Sequence, residues 1–277
     1  MSAFDFFPRR QKKPGSEANF AELSGLTIWL LGASSGIGLA LAEALAKRRN
    51  FVFVSARSED KLLALKRRYP KHIQVLAVDI CDEQSLSGCA QQLKAQCDQL
   101  DLLVLNAGTC EYDDAPLAEL GLYRRVFELN YFAQLACLKQ ALPLLKAARG
   151  RVLVTSSLAM LLPFSRAEAY GASKAALEYS VRSLAIDLHG AGLSFQIVRP
   201  GFVDTPLTKQ NDFSMPWLMS AEQAAERILL GLKKGRPIIS FPWPLRAALK
   251  IANWLGPLWL RMAAKMHQKR LAESKLL

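Results

Sequence analysis

The feature that most limits what this chain can fold into is an alternation of short apolar runs with stretches of helical periodicity, sustained from residue 26 to residue 241. Strands are expected at 26–31, 51–56, 73–78, 102–105, 151–156, 194–199 and 237–241. Between them, apolar residues recur every three to four positions over 37–49, 59–69, 82–96, 115–130, 131–148, 167–189 and 221–234. A strand whose successor lies parallel to it needs a crossover, and a helix is the usual one. The chain is therefore expected to be α/β: a single Rossmann-like, doubly wound parallel sheet of about seven strands with helices on both faces. In such sheets ligands bind beyond the carboxyl ends of the strands, which directs attention to the loops there.

The first of these loops reads Gly32-Ala33-Ser34-Ser35-Gly36-Ile37-Gly38 and joins an apolar run to a helical one. Gly32 permits a tight turn, while Gly36 and Gly38 let the backbone approach a pyrophosphate. Free N–H groups and the dipole at a helix N-terminus favour such an anion. The second strand ends at Ala56-Arg57. An acid at this place would bind the 2′-hydroxyl of NAD; an arginine instead suits the 2′-phosphate of NADP. Asp79 follows the third strand, positioned to accept from an adenine amino group. Asn106-Ala107-Gly108 ends the fourth, where a glycine keeps a groove open.

Tyr170-Gly-Ala-Ser-Lys174 lies in a long helical stretch, and residues four apart share a helix face. A phenol is a poor proton donor or acceptor near neutrality, and an adjacent ammonium favours its ionised form. Ser157, 13 residues earlier at the end of the fifth strand, can hold a carbonyl oxygen; its neighbour Ser156 competes for that task. Asn130 sits in the helical region after the fourth strand, where its plain reading is a helix cap.

Together and in this order, these residues resemble the short-chain dehydrogenase/reductase family over roughly residues 25–241. The resemblance rests on Gly32 to Gly38, Asn106-Ala107-Gly108, Asn130, Ser157, Tyr170 with Lys174, and Pro200-Gly201-Phe-Val203-Asp-Thr205. It implies an NADP(H)-dependent carbonyl reductase or alcohol dehydrogenase. Tyr170 is then the acid–base, and Lys174 binds the nicotinamide ribose and lowers the tyrosine pKa. Ser157 orients the carbonyl, Asn130 holds a water, and Thr205 contacts the nicotinamide amide; Pro200, Gly201 and Val203 belong to the cofactor site. Two positions depart from the family. Leu31 stands where Thr is usual and Leu105 where Asn is usual, so a polar link between two loops is expected to become an apolar contact.

The loop at 158–164 has five large apolar residues, which favour an apolar carbonyl or alcohol substrate over a sugar; packing into the core or a subunit contact is the other reading. Residues 202–219 are expected to form a lid over the same pocket. The resemblance implies a homo-oligomer, a dimer or tetramer. No metal is expected: the five cysteines make no C-x-x-C pair and the three histidines lie far apart. Reduced thiols point to a cytoplasmic compartment, and the start of the chain lacks the apolar core of a secretory signal.

Of the net charge of +12, half falls after residue 242, where seven Lys/Arg meet one acid, Glu273. Arg246 and Lys250, then Arg261, Lys265 and Lys269, are spaced by four, with Trp254, Leu258, Trp259 and Met262 among them. Gly256-Pro257 is expected to split the stretch into two short helices with cations on one face and apolar residues on the other. Such an extension, over 243–277, suits a peripheral membrane surface through 243–271 or a subunit contact. Concentration of charge in this tail argues against nucleic acid as partner. Residues 1–24 are expected to be a flexible basic arm, leaving 25–242 as the catalytic domain. A second reading of the whole chain is a membrane-peripheral regulatory protein that binds dinucleotide without turnover.

Overall fold

The computed structural model describes residues 19–115, 117 and 119–274. Seven parallel strands, β1 (Thr27–Leu31), β2 (Phe51–Ser55), β3 (Ile73–Val75), β4 (Leu102–Leu105), β5 (Arg151–Thr155), β6 (Ser194–Pro200) and β7 (Ile238–Phe241), lie in the order β3-β2-β1-β4-β5-β6-β7. The chain winds outward to β3, then returns to the other side of β1. This reversal opens a crevice between the carboxyl ends of β1 and β4. β3 is shorter than expected because regular pairing stops at Val75, although Leu76 and Val78 still donate to the carbonyls of Val54 and Ala56.

Strand alternation sorts the core into two layers. Ile28, Leu30, Val52 and Val54 pack beneath α1 (Gly36–Lys47), α2 (Glu59–Arg68) and α7 (Ala221–Lys233). Trp29, Leu31 and Phe53 face α3 (Glu83–Gln96), α5 (Ala133–Ala148) and α6 (Glu168–Asp187). The one large polar-tipped side chain among them, Trp29, keeps its indole N–H satisfied by donating to Ser55 Oγ at 2.9 Å. α6 is tied to β6 by a buried bidentate pair, Arg199 with Glu178, which fixes the helix that carries Tyr170 and Lys174.

The two helices expected between β4 and β5 are one interrupted rod. α4 (Leu120–Phe127) runs through a π turn, Glu128–Phe132, into α5. The end of the sequence forms α8 (Trp243–Trp254) and α9 (Gly256–Ser274), broken at Gly256-Pro257 as expected, although α9 is long rather than short. No helix among the described residues is long and apolar enough to cross a membrane. Of the arm expected over 1–24, residues 1–18 lie outside the described residues. Residues 19–24 are packed rather than free: Leu23 is buried in the core and the Arg151 guanidinium stacks 3.8 Å above the Phe20 ring.

Candidate active site

A groove of about 460 Å³ runs along the carboxyl ends of the strands, across the β1/β4 crevice. The floor of one end is the β1–α1 turn. Gly32 has φ +79 and its hydrogen points at the backbone of Ala107, where a Cβ would come within 2.7 Å of the amide nitrogen. Gly36, at φ +53, would bring a Cβ within 2.7 Å of the Thr205 methyl. Ser35 occupies the N-cap position of α1 but makes no side-chain capping bond, and no acid lies in the first turn. The helix therefore presents unsatisfied N–H groups and the positive end of its dipole to the groove.

Gly32, Ser34, Ser35, Gly36 and Ile37 line this end, together with Arg57 and Asp79 beside it. Asn106, Ala107, Gly108, Ser157, Tyr170, Lys174, Pro200, Gly201, Val203 and Thr205 line the rest. Two expected residues do not. Gly38 is turned against the carbonyl of Gly32, so close that a Cβ there would sit 2.0 Å from the oxygen; it is needed for packing of helix on turn. Asn130 is fully buried in the π turn. Its Oδ1 accepts from Thr109 N at 2.8 Å, and its Nδ2 donates to Thr109 O at 2.9 Å and to Ser173 Oγ at 3.0 Å. Both amide hydrogens are thus used in clamping the loop after β4 to α6, and neither is left for a water.

The departures at Leu31 and Leu105 resolve simply. The two are register partners in adjacent strands and both are buried, giving the expected apolar contact. The polar tie between loops survives by another route: Thr155 Oγ1 donates to Asn106 Oδ1 at 3.0 Å, and Asn106 Nδ2 reaches Gly32 O at 3.4 Å. Thr155, Gln134 and Thr208 are the residues that sequence reasoning missed. Gln134, buried on α5, donates to the carbonyls of Ala107 and Leu129; Thr208 braces Thr205 by accepting from its amide at 3.0 Å. Only the four-residue spacing of Gln134 from Asn130 hinted at a shared face.

Ser156 and Ser157 separate cleanly. Ser156 is buried and its hydroxyl points to the Lys174 carbonyl, whereas Ser157 Oγ accepts from Ala159 N at 3.0 Å and lies close enough to Tyr170 to lower its phenol. Lys174 Nζ donates to Thr155 O at 3.1 Å and lies 5.9 Å from the centre of the Tyr170 ring. Burial governs both titrating groups. It pushes the Tyr170 phenol up to about 12, against a smaller lowering by the Ser157 hydrogen bond, and pulls the Lys174 ammonium down to about 8.

Near Tyr170 lie Cys110, whose thiol burial raises to about 11, and Tyr112. The segment 202–219 crosses here and is fastened at both ends. Met219 pairs with Val203, Tyr112 Oη donates to Asn211 Oδ1 at 2.6 Å, and the Phe213 ring packs on Tyr112 and Phe202. Arg166 draws three loops together, with ion pairs to Asp114 and Asp212 and its guanidinium 5.0 Å from the Tyr112 ring. In the loop at 158–164, Leu158 and Leu162 follow the second of the two readings: they turn inward and pack on Leu245 and Leu249 of α8.

The family model for short chain dehydrogenases matches residues 26–214. The chain belongs to the short-chain dehydrogenase family. This short-chain dehydrogenase is 33% identical over 251 residues to an uncharacterized oxidoreductase of Myxococcus xanthus, covering 89% of this chain and 99% of the relative. It is 32% identical over 202 residues to a cis-4-hydroxycyclohexanecarboxylate dehydrogenase of Sinomonas cyclohexanicum, covering 71% and 81%. Its fold matches a Burkholderia cenocepacia short chain dehydrogenase solved with NADP, with TM-score 0.75, 23% identity and coverage of 86% and 98%. A Burkholderia phymatum member solved with NAD matches equally well, with TM-score 0.75, 18% identity and coverage of 83% and 93%. The chain is an oxidoreductase of this class.

Proposed function

We propose that this short-chain dehydrogenase uses NADP(H) to interconvert a carbonyl and an alcohol on an apolar substrate, with Tyr170 as the acid–base. The observation that carries this reading is the convergence of Tyr170, Ser157 and Lys174 at one end of a groove whose other end holds an uncapped helix N-terminus and Arg57. The residues fit a dinucleotide: the α1 N–H groups suit a pyrophosphate, and Gly108 leaves room beside Lys174, since a Cβ there would lie 3.1 Å from Nζ. Arg57, with Ala56 rather than an acid beside it, favours a 2′-phosphate.

When bound, the nicotinamide exchanges a hydride with the substrate carbon. In reduction Tyr170 gives its phenolic proton to the carbonyl oxygen as that hydride arrives; in oxidation it takes the proton from the hydroxyl. Ser157 orients the same oxygen, its own lone pair already committed to Ala159 N. Lys174, held by the Thr155 carbonyl, biases the phenol toward release. Tyr112, Phe202 and Phe213 pack together, with Tyr112 near Tyr170, and these apolar rings support the reading of an apolar substrate. The test is oxidation of NADPH and NADH against a panel of apolar ketones and aldehydes. NADPH-selective turnover supports the reading; tight NADPH binding without turnover of any carbonyl favours the regulatory alternative.

A further inference from the structure

The exposed apolar side chains of the described residues concentrate on α8 and α9, where Trp243 and Trp254 are 76% and 84% exposed. The cations are not segregated from them, contrary to the sequence expectation. Positions 243, 246, 250 and 254 are three or four apart and so form one stripe, Trp243-Arg246-Lys250-Trp254, on the outward side of α8. Leu258, Arg261, Met262, Lys265 and Met266 form the matching stripe on α9, and all nine of these side chains are exposed. Residues 243–268 contain no acid, and none of the four cations is in an ion pair among the described residues.

We propose that this mixed face seats the enzyme on an anionic lipid surface and hands it a carbonyl substrate dissolved in the bilayer. Indole rings, thioethers and leucines enter the headgroup boundary while lysine and arginine beside them meet lipid phosphates and carboxylates. A second copy of the chain fits poorly, because a two-fold contact would set the four cations against four more with no acid to offset them. The helices lie on the surface rather than through it, since neither is apolar enough to span.

The inward faces of the same helices touch the substrate end of the groove. Leu245 and Leu249 pack on Leu158 and Leu162, Trp259 Nε1 donates to Pro163 O at 3.0 Å, and the Phe164 ring stands edge-on to Trp259 at 5.8 Å. That loop begins at Ser157. The docked surface and the loop that begins at Ser157 are thus two sides of one layer, and a substrate leaving the bilayer emerges beside the loop next to Tyr170. This last step rests on the carbonyl–alcohol chemistry proposed above.

Docking is tested by sedimenting the full chain with phosphatidylcholine vesicles with and without phosphatidylserine. The chain is expected to pellet with the anionic vesicles at low salt, to be released by high salt, and to stay in solution with phosphatidylcholine alone. Trp243→Ala with Trp254→Ala, and separately Lys250→Glu with Lys265→Glu, should each weaken binding roughly tenfold. Neither pair should alter the circular dichroism or the NADPH affinity. A chain that stays in solution with anionic vesicles overturns the proposal, as do variants that pellet like the parent. A dimer seen without lipid that both variants dissolve also overturns it, in favour of a self-contact. For delivery, kcat/KM on a long-chain ketone should be several-fold higher in anionic than in neutral vesicles, with a water-soluble ketone indifferent. Equal values overturn delivery. Failure to reduce either ketone counts against the chemistry instead, and sedimentation still decides docking.

Discussion

The two ends of the groove are built by different means. The dinucleotide end is made of backbone: the Gly32–Gly38 turn, an uncapped helix terminus and strand ends packed directly on one another. Its shape follows from a few neighbouring residues with no freedom to be otherwise. The substrate end is made of side chains from four separate places: the loop with Cys110 and Tyr112, the loop with Arg166, the 202–219 segment, and α8 with α9. It is held by contacts between residues up to about a hundred positions apart, as between Tyr112 and Asn211 or Pro163 and Trp259. A backbone cradle can persist while the second end is rebuilt, which is how one fold accepts many substrates.

The contrast can be broken first at the chemistry. Tyr170→Phe should lower kcat by about 10²–10⁴-fold while NADPH affinity changes little, because the phenol works at the substrate end. Parallel loss of NADPH binding, read by fluorescence titration, would place Tyr170 in the cradle instead. Gly32→Ala attacks the other end. A left-handed backbone and a Cβ 2.7 Å from Ala107 N should destabilise the fold by about 3 kcal/mol, lowering the melting temperature by several degrees and abolishing dinucleotide binding. An alanine variant that melts and binds normally would show the turn to be far softer than its geometry.

Arg57→Ala should weaken NADPH by roughly 10–100-fold and leave NADH unchanged, the loss of one charged contact to a phosphate. Equal effects on both dinucleotides would remove the basis for NADP preference. Arg166→Ala loosens the substrate end alone. Its ion-pair partners are largely exposed, so stability should shift by under about 1 kcal/mol while KM for the carbonyl rises a few-fold and Kd for NADPH stays fixed. The smallest effect is in pH. Burial keeps Tyr170 protonated up to about 12, so reduction, which needs the phenol, should be flat between about pH 6 and 7, below the Lys174 value of about 8. Oxidation needs the phenolate and should climb with pH over the same range. A flat oxidation profile would argue against Tyr170 as base.

The same division explains what the sequence disclosed. Sheet order and the dinucleotide end were legible because apolar periodicity and glycine placement act locally: every expected strand is present, and fourteen of the fifteen residues expected to touch cofactor without catalysing line the groove. Ser157 was chosen over Ser156 only by the family resemblance, since successive residues at a strand end point to opposite faces and the residues alone do not say which faces Tyr170. The apolar loop at 158–164 could be read as pocket lining or as core because its composition does not say which way Leu158 and Leu162 turn; α8, about ninety residues later, decides it for these two. Spacing put Tyr170 and Lys174 on one helix face, but it could not tell that both would be buried, which raises the phenol and lowers the ammonium.

The π turn at Glu128–Phe132 is one residue of surplus length in a rod that would otherwise be a single regular helix. That surplus behaves like a vernier. It offsets the angular phase of α5 against α4, so that Asn130 reaches Thr109 while Gln134 reaches Ala107 from the next segment of the same rod. Excising a single residue there would restore regular pitch and turn about a hundred degrees of phase out of the rod. The groove edge would then lose both amide clamps at once, although no residue of the groove itself had been touched.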